Sequence, residues 1–319
     1  MMPAALLHPR SVQAPGAVVM VRPRHFRLNP QTAGDNAFQA SSAPGAAALA
    51  ASAYAEVSAA AAALDEAGVT VHLFEDLAEG ATPDSVFPNN WFSTHAGGHV
   101  ALFPMFSPNR RRERRGDVIE LLKQRYRVQD VIDYSGLEED GLFLEGTGAM
   151  VLDHIERVAY VVRSNRAHAI VLERFCTHFN FEPMVFDAAD RQGRAVYHTN
   201  VMMCIGTGFA LIAPAMITDP ARRAEILARL AQSGRSIIVL SEDQVQQFAA
   251  NAIELWTPAG PLLAMSSRAL AALEAQQCAE IERSARILAL KVPTIELAGG
   301  SVRCMLAGIH LSARSQPCI

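Results

Sequence analysis

The chain is short of three things. It has no excess of positive charge: 28 Lys and Arg stand against 32 Asp and Glu, a formal net charge of −4. That balance lacks the basic footprint of a nucleic-acid binder. It has few cysteines, five in 319 residues, an odd and sparse count that argues against a disulfide framework and for reduced thiols in the cytoplasm. It also lacks a long uninterrupted apolar run. The N-terminal apolar stretch is broken by His8, Pro9 and Arg10, too soon for a signal peptide. The Ala-rich segment GAAALAASAYAEVSAAAAALDEAG is interrupted by Glu56 and Asp65, and alanine contributes little transfer energy, so it reads as a packed helix and not a membrane span.

Hydrophobic material is plentiful, at 50% of residues, with 19% charged. This excludes a disordered or fibrous chain. Length alone suggests about two domains. The internal pattern argues for one. Five strand starts look alike: Trp91 after FPNN, Ala149 after EGTG, Val201 after HTN, Ile253 after AAN and Val302 after GGS, spaced by 58, 52, 52 and 49 residues. The first four run into a second strand across a Gly- or Pro-bearing turn, as hairpins do. The fifth lacks a partner after Ile309, and the N-terminal strand AVVMVRP is available to close a ring. Amphipathic helices fill the gaps: GDVIELLKQRY, RAHAIVLERFCTHF, PARRAEILARLAQ and RALAALEAQQCAEIERSA. SPNRRR, RSNRAH and MSSRAL each place an Arg just inside a helix start. A period near fifty implies one closed repeat fold: a single α/β domain over 1–319, with five units, small-polar clusters pointing at the centre, and 1–16 and 312–319 peripheral.

In such a ring, residues far apart in sequence become neighbours. Glu145, His198 and Cys304 each sit at a strand start, in three different units. Cys304, in AGGSVRCML, is either a nucleophile or a buried small hydrophobe, the ordinary fate of a free Cys. As a nucleophile it needs its thiol activated. His198 is the better agent, because Arg303 is a strand neighbour and points to the opposite face. His198 fits a general acid/base, or a structural imidazole bonded to a carbonyl. Glu145 ends an apolar strand, where a carboxylate needs a partner: a planar N–H-rich ligand such as a guanidinium or urea, or an Arg of the chain itself. Cys176 and Cys278 lie in helices, Cys204 in an apolar run and Cys318 in the tail. His95 and His99 flank Gly97 and Gly98 without carboxylates or thiols at ligand spacing, so no metal site is assigned.

Four separated motifs, PDSVFPNNW, FLEGTG, AANAIEL and GGSVRCML, resemble the dimethylarginine dimethylaminohydrolase branch of the guanidine-modifying superfamily, whose other members include arginine deiminases and amidinotransferases. The resemblance runs from about Val18 to Leu311, with the order Asp, Glu, His, Cys retained, and is greatest to the citrulline-utilisation hydrolases. It implies a pentein fold, a five-bladed α/β propeller with fivefold pseudo-symmetry, in agreement with the repeats. It implies Cys304 as nucleophile, His198 as general acid/base and Glu145 as the carboxylate that grips the substrate. It further implies Asp84 at the substrate's amino-acid end and Arg110 and Arg166 at its carboxylate, where bidentate geometry suits Arg. Asn251, in the AANAIEL motif, joins the substrate-binding set.

The departure is at Asn89 and Asn90, where the dimethylarginine enzymes carry acids. Neutral amides forfeit a charged hydrogen bond to a guanidinium, about 1.5–3 kcal/mol, yet an amide N–H satisfies the C=O of a ureido group. The expected activity is therefore hydrolysis of a C–N bond in a ureido or guanidino amino acid. Citrulline is the favoured substrate, giving ornithine, ammonia and carbon dioxide through a covalent Cys adduct, with no metal or organic cofactor. Arginine deiminase, dimethylarginine hydrolase and amidinotransferase are the enzymatic alternatives. A non-catalytic binding protein is the other class. The run Arg110 to Arg112 with Arg114 and Arg115 reads as a helix start with Arg110 inward and the rest solvated, or as a local RNA patch. The expected partner is a small amino acid, with neither nucleic acid nor membrane; a homodimer is left open.

Overall fold

The computed structural model describes residues 12–40, 45–77 and 82–314. The N-terminal strand β1 (Ala17–Arg22) lies beside β2 (Thr70–Glu75). The next three units each supply a hairpin and a third strand. They are β3 (Phe92–His95), β4 (His99–Leu102) and β5 (Asp130–Asp133); β6 (Met150–Asp153), β7 (Val158–Val162) and β8 (Glu182–Phe186); and β9 (Met203–Ile205), β10 (Phe209–Ile212) and β11 (Ser236–Val239). The last strands are β12 (Ile253–Thr257), β13 (Gly260–Ser266), β14 (Arg286–Leu290) and β15 (Ala307–Gly308). They form five separate three-stranded sheets. In four of them the first two strands are an antiparallel hairpin and the third runs parallel to the second. The fifth is assembled from both ends of the chain: β15 pairs antiparallel to β1, Val18 opposite Gly308, and β1 pairs parallel to β2. The N-terminal strand thus completes the unit that the C-terminus leaves unpaired.

A parallel pair needs a crossover, and helices provide it. Gly116–Arg125, Ala169–Phe179 and Pro220–Ala231 link the second strand to the third in three units. Middle strands such as β7 (VAYVV) and β10 (FALI) are buried at every residue, because helix covers one face and the molecular interior the other. Outer strands such as β5 are exposed at both ends. The tight β3–β4 turn rests on Gly97 and Gly98 at φ +92° and +99°; a Cβ on Gly98 would lie 2.9 Å from the Gln129 side chain.

The Ala-rich segment is the helix Ala46–Glu66, which by length and composition alone is long and apolar enough to cross a membrane. Leu49, Ala53, Val57, Ala60 and Leu64 form its buried stripe, packed in the core that includes Val18, Met20 and Ile295. Glu56, which interrupts the apolar run, accepts from the backbone N–H groups of Thr294 and Ile295 at 2.9 and 3.2 Å.

The structure corrects several local expectations. RALAALEAQQCAEIERSA is two helices, Ser267–Ala272 and Ala275–Glu282: Ser266 caps the first through the Ala269 N–H, and a Glu274–Gln277 capping box restarts the second. Only Ile253 of the five expected starts opens a strand. Trp91 follows a single helical turn, Pro88–Asn90; Ala149 and Val201 end the turns Gly146–Ala149 and Thr199–Val201; Val302 begins the turn Val302–Met305. Arg166 precedes its helix, whose cap is His168. Of the Arg run beyond Arg110, Arg112 is exposed as expected, whereas Arg111 and Arg114 meet Glu138 and Arg115 meets Asp117. In the segment expected to be peripheral, Gln13 and Ala14 are buried. Gln13 Nε2 donates to the carbonyls of Leu152 and Ile205 at 3.0 and 3.1 Å, tying β6 to β9. Cys318 lies outside the described residues.

Candidate active site

The one-turn helices at the inner ends of the hairpins carry the site. Each turn leaves an apolar strand on one side and a small-polar cluster on the other. Two glycines let the turns approach. Gly146 has φ +45°, and a Cβ there would sit 2.5 Å from the Asn89 carbonyl oxygen. A Cβ on Gly148 would fall 2.8 Å from His198 Nδ1 and closer still to the Asn90 amide. EGTG therefore keeps open the space that the catalytic candidates share.

Glu145 is completely buried, at 0% exposure. Its Oε2 meets His198 Nε2 at 2.8 Å, and its Oε1 accepts from the Phe106 N–H at 3.0 Å. Arg166 Nη1 and Arg110 Nη1 lie 3.4 and 3.7 Å from Oε2. Burial would raise the Glu145 carboxyl, but Arg166, the His198 bond and Arg110 together hold it below the ordinary carboxylate range. Both oxygens are engaged inside the protein, one by the imidazole, and Glu145 is not among the residues that line the cavity beside Cys304. With Nε2–H assigned to Glu145, Nδ1 is left to act as the base. Burial lowers the His198 pKa below that of a free imidazole, although Glu145 opposes the shift.

Cys304 lies on the turn Val302–Met305, so strand alternation does not govern its neighbour Arg303. Two amides reach the sulfur: Asn200 Nδ2 at 3.3 Å and Asn251 Nδ2 at 3.2 Å. Their Oδ1 atoms are buried without a donor. Such unsatisfied acceptors are costly, and neither amide is among the residues lining the cavity beside Cys304.

Arg110 is clamped by Glu113, with Nε and Nη2 each donating at 2.9 Å, and lies 3.7 Å from Asp84. Burial pushes Glu113 up to about 8 against the pull of Arg110. With its amide oxygen turned to Arg110, Asn90 accepts from Nη1 and Nη2 at 3.0 and 3.2 Å, which leaves its NH₂ towards Asn89. Burial raises the Asp84 pKa despite Arg110. Asp84 Oδ2 accepts from Asn29 at 2.7 Å, while Oδ1 is buried without a partner. Arg166 pairs with Asp35, Nε to Oδ2 at 2.8 Å, and lies over the Tyr197 ring at 4.9 Å.

Asp84, Asn90, Arg110, Arg166, His198 and Cys304 all line one cavity, so the sulfur and the imidazole face the same space. Glu145 lies behind His198, Asn89 behind Asn90, and Asn251 beneath the sulfur. The cavity holds about 20 Å³, little more than one water. Asn36 and Thr32 cover it. Asp35, from the same segment, occupies Arg166. Sequence reasoning missed Asn200, Asp35 and Asn29. Only Asn200 had a signal, its position two residues after His198 in HTN. His95 and His99, the other paired imidazoles, bond Ser93 and Asp130. Among the described residues no three His, Cys, Asp or Glu side chains are placed to share a metal ion.

The fold and this cysteine-, histidine- and carboxylate-lined site define a guanidine-modifying enzyme of the pentein superfamily. The family model described as N,N dimethylarginine dimethylhydrolase, eukaryotic, matches residues 22–311, and the chain belongs to that family. Solved structures agree in fold. The N-terminal domain of ArgZ, an arginine dihydrolase from the ornithine-ammonia cycle in cyanobacteria, solved as a Cys-to-Ser mutant with substrate, superposes with a TM-score of 0.68 at 16% identity, over 92% of this chain and 97% of that one. AgrE in complex with ornithine and NAD+ gives 0.69 at 18% identity over 94% of this chain, which spans 40% of AgrE. A dimethylarginine dimethylaminohydrolase adduct gives 0.60 at 16% identity, covering 92% and 99%. No curated protein matches.

Proposed function

We propose that this chain is a cysteine hydrolase that breaks a C–N bond of a ureido or guanidino amino acid, with citrulline as its favoured substrate. We read the five sheets as blades of a fivefold pseudo-symmetric propeller closed around the site, in one cytoplasmic α/β domain. The observation that carries the reading is the convergence of Cys304 and His198 on one cavity with Glu145 bonded to the imidazole.

In this mechanism Asp84 Oδ1 receives the substrate ammonium, and Arg166, released from Asp35, receives the carboxylate. His198 Nδ1 takes the thiol proton, and Cys304 Sγ bonds the planar carbon of the ureido group. The C–N bond to the terminal nitrogen breaks, and His198 returns the proton so that ammonia leaves. The resulting thiocarbamate is attacked by water that His198 deprotonates. The C–S bond breaks, the thiol recovers a proton, and the carbamate released loses carbon dioxide to give ornithine. Asn200 and Asn251 hold the sulfur.

Citrulline is favoured because the head-group end carries Asn89 and Asn90 and has Arg110 against Asn90. A neutral ureido group meets no repulsion there, whereas a guanidinium faces a like charge. Arginine is the second reading, supported by the buried carboxylates Asp84 and Glu145 and by the likeness to an arginine dihydrolase. An ammonia-release screen over citrulline, arginine, methylated arginines and agmatine, with product analysis, tests both. The expected result is ornithine and ammonia from citrulline and no release by Cys304→Ser. A screen in which citrulline is inert overturns the substrate. Undiminished turnover by Cys304→Ser overturns the nucleophile.

A further inference from the structure

On the other side of the turn that carries Cys304 lies a second cavity, and the reaction above makes no use of it. It is the larger of the two, about 50 Å³, room for roughly three waters or one small anion. It lies where all five units meet, lined by residues of β3, β6, β9, β12 and β15 and by the Cys304 turn. Its charge character is unusual. Arg303 lines it, and the guanidinium has one hydrogen bond, Nη1 to the Leu306 carbonyl at 3.1 Å, and no carboxylate within ion-pair distance among the described residues. His154 and His310 line it too, their rings stacked with centroids 3.9 Å apart. His95 lies behind His154 at 6.1 Å. Burial, then the neighbouring His310, His95, Arg157 and Arg303, all push the His154 pKa well below its ordinary value, and no acid opposes them. Among the described residues Arg157 also has no carboxylate partner: it bonds the Asn180 carbonyl at 3.2 Å and the Phe179 carbonyl, and lies over the Phe181 ring.

One acid lines the cavity. Glu254 Oε2 accepts from the Thr207 N–H and hydroxyl at 2.8 and 2.6 Å, its Oε1 is without a donor, and burial raises its pKa. It is turned to Thr207 and does not pair with Arg303. Arg303 is part-buried, and a partly desolvated guanidinium with a single carbonyl partner draws a counter-charge. The hydroxyls of Ser93 and Thr94 on the same wall are already bonded, Ser93 to His95 Nε2 at 2.7 Å and Thr94 as a donor to the Gly308 carbonyl at 3.0 Å.

We infer that this axial cavity is an anion site, in which Arg303 and the His154–His310 pair hold a small oxyanion of the phosphate or sulfate type. The ligand is small because the space is small, and an oxyanion because the wall offers several donors in different directions. The site is separate from the substrate cavity, and its existence does not depend on which amino acid is hydrolysed.

Thermal unfolding of the whole protein tests this. Inorganic phosphate and sulfate are titrated at constant ionic strength, against wild type, Arg303→Met and His154→Gln. Binding to the folded state alone raises the melting temperature with ligand concentration. The expected result is a rise for wild type, its loss in Arg303→Met and a reduced rise in His154→Gln. Equal rises in wild type and Arg303→Met would place the anion elsewhere, including at Arg110 or Arg166, and overturn the site; no rise in wild type overturns it as well. Should Arg303→Met fail to fold, wild-type crystals soaked in selenate decide: anomalous density within hydrogen-bond reach of Arg303 supports the site, and its absence there rejects it.

Discussion

His198 Nε2 lies 2.8 Å from Glu145 Oε2, and neither side chain has more than 3% of its surface exposed. The contact fixes both the ring orientation and the tautomer. It also sets the sign of a pH effect. Glu145 stabilises the imidazolium and so raises the His198 pKa, against a burial effect that lowers it. With the pKa held below the ordinary imidazole value of about 6.5, loss of the neutral base is expected on the acid side of the pH profile. Glu145→Gln removes the raising influence. The expected outcome is an acid limb of kcat/KM displaced to lower pH, with kcat reduced by about 10²–10⁴-fold. A limb that stays in place, or moves up, shows that Glu145 does not act through His198.

The two amides at the sulfur lead to a second prediction. Asn200→Ala and Asn251→Ala each remove a donor 3.2–3.3 Å from Cys304 Sγ. A hydrogen bond to a charged group contributes about 1.5–3 kcal/mol. Each variant should therefore be alkylated by iodoacetamide at pH 7 roughly tenfold more slowly than wild type. Unchanged alkylation with reduced turnover would assign the amides to the substrate alone.

Asn90 bears on specificity. Its amide oxygen accepts from Arg110, and its NH₂ is left towards Asn89. Asn90→Asp supplies a negative charge where the dimethylarginine enzymes carry one. Steady-state kinetics on citrulline and arginine should show the kcat/KM ratio shifting towards arginine by about tenfold or more, the magnitude of one charged hydrogen bond. A shift towards citrulline contradicts the assignment of Asn90 to the head group.

The repeat was legible in the sequence for a definite reason. The β3–β4 turn needs Gly97 and Gly98, and β7 and β10 are buried on both faces, so punctuation and apolar runs both survive in the letters. The one-turn helices were not legible. A turn of three or four residues such as Thr199–Val201 has no periodicity to detect, and reading Val302–Met305 as strand gave the wrong reason for an arrangement that holds, since Arg303 and Cys304 line different cavities. Glu145, His198 and Cys304 stood out because charged or reactive groups beside apolar strands demand partners. Asn200 did not, since an amide is unremarkable until a sulfur faces it, and Asn251 was named only through the resemblance. Asp35 carried no signal: its partner Arg166 is 131 residues away, and the segment AGDNAF reads as loop.

Stability has its own test. Arg235 and Asp153 form a buried ion pair, Nη2 to Oδ1 at 2.9 Å, that joins the unit of β6 to the unit of β11. Arg235 Nε also donates to the Gly206 carbonyl at 2.8 Å. Asp153→Ala strands a buried guanidinium, which costs about 3–5 kcal/mol, a large part of an ordinary folding free energy. The urea midpoint should fall accordingly while the variant that remains folded keeps wild-type kcat. A loss of less than about 1 kcal/mol would mean that the charge is solvated on removal of its partner.

Asp35 gives the last prediction, because it competes with the substrate. Its carboxylate holds Arg166 with Nε–Oδ2 at 2.8 Å, and its own pKa is lowered by Arg166 and Asn165 in spite of burial. On the proposed function the substrate carboxylate needs the same guanidinium, and a cavity of about 20 Å³ has no room for an amino acid as it stands. Asp35→Asn keeps the shape and removes the charge, weakening the contact that binding must break. Since the contact is lost before chemistry begins, the gain belongs to binding and not to the transition state alone. The expected outcome is a several-fold lower KM with kcat unchanged, read from initial rates of ammonia release. A raised KM would instead assign Asp35 to the bound substrate, holding Arg166 in position for its carboxylate.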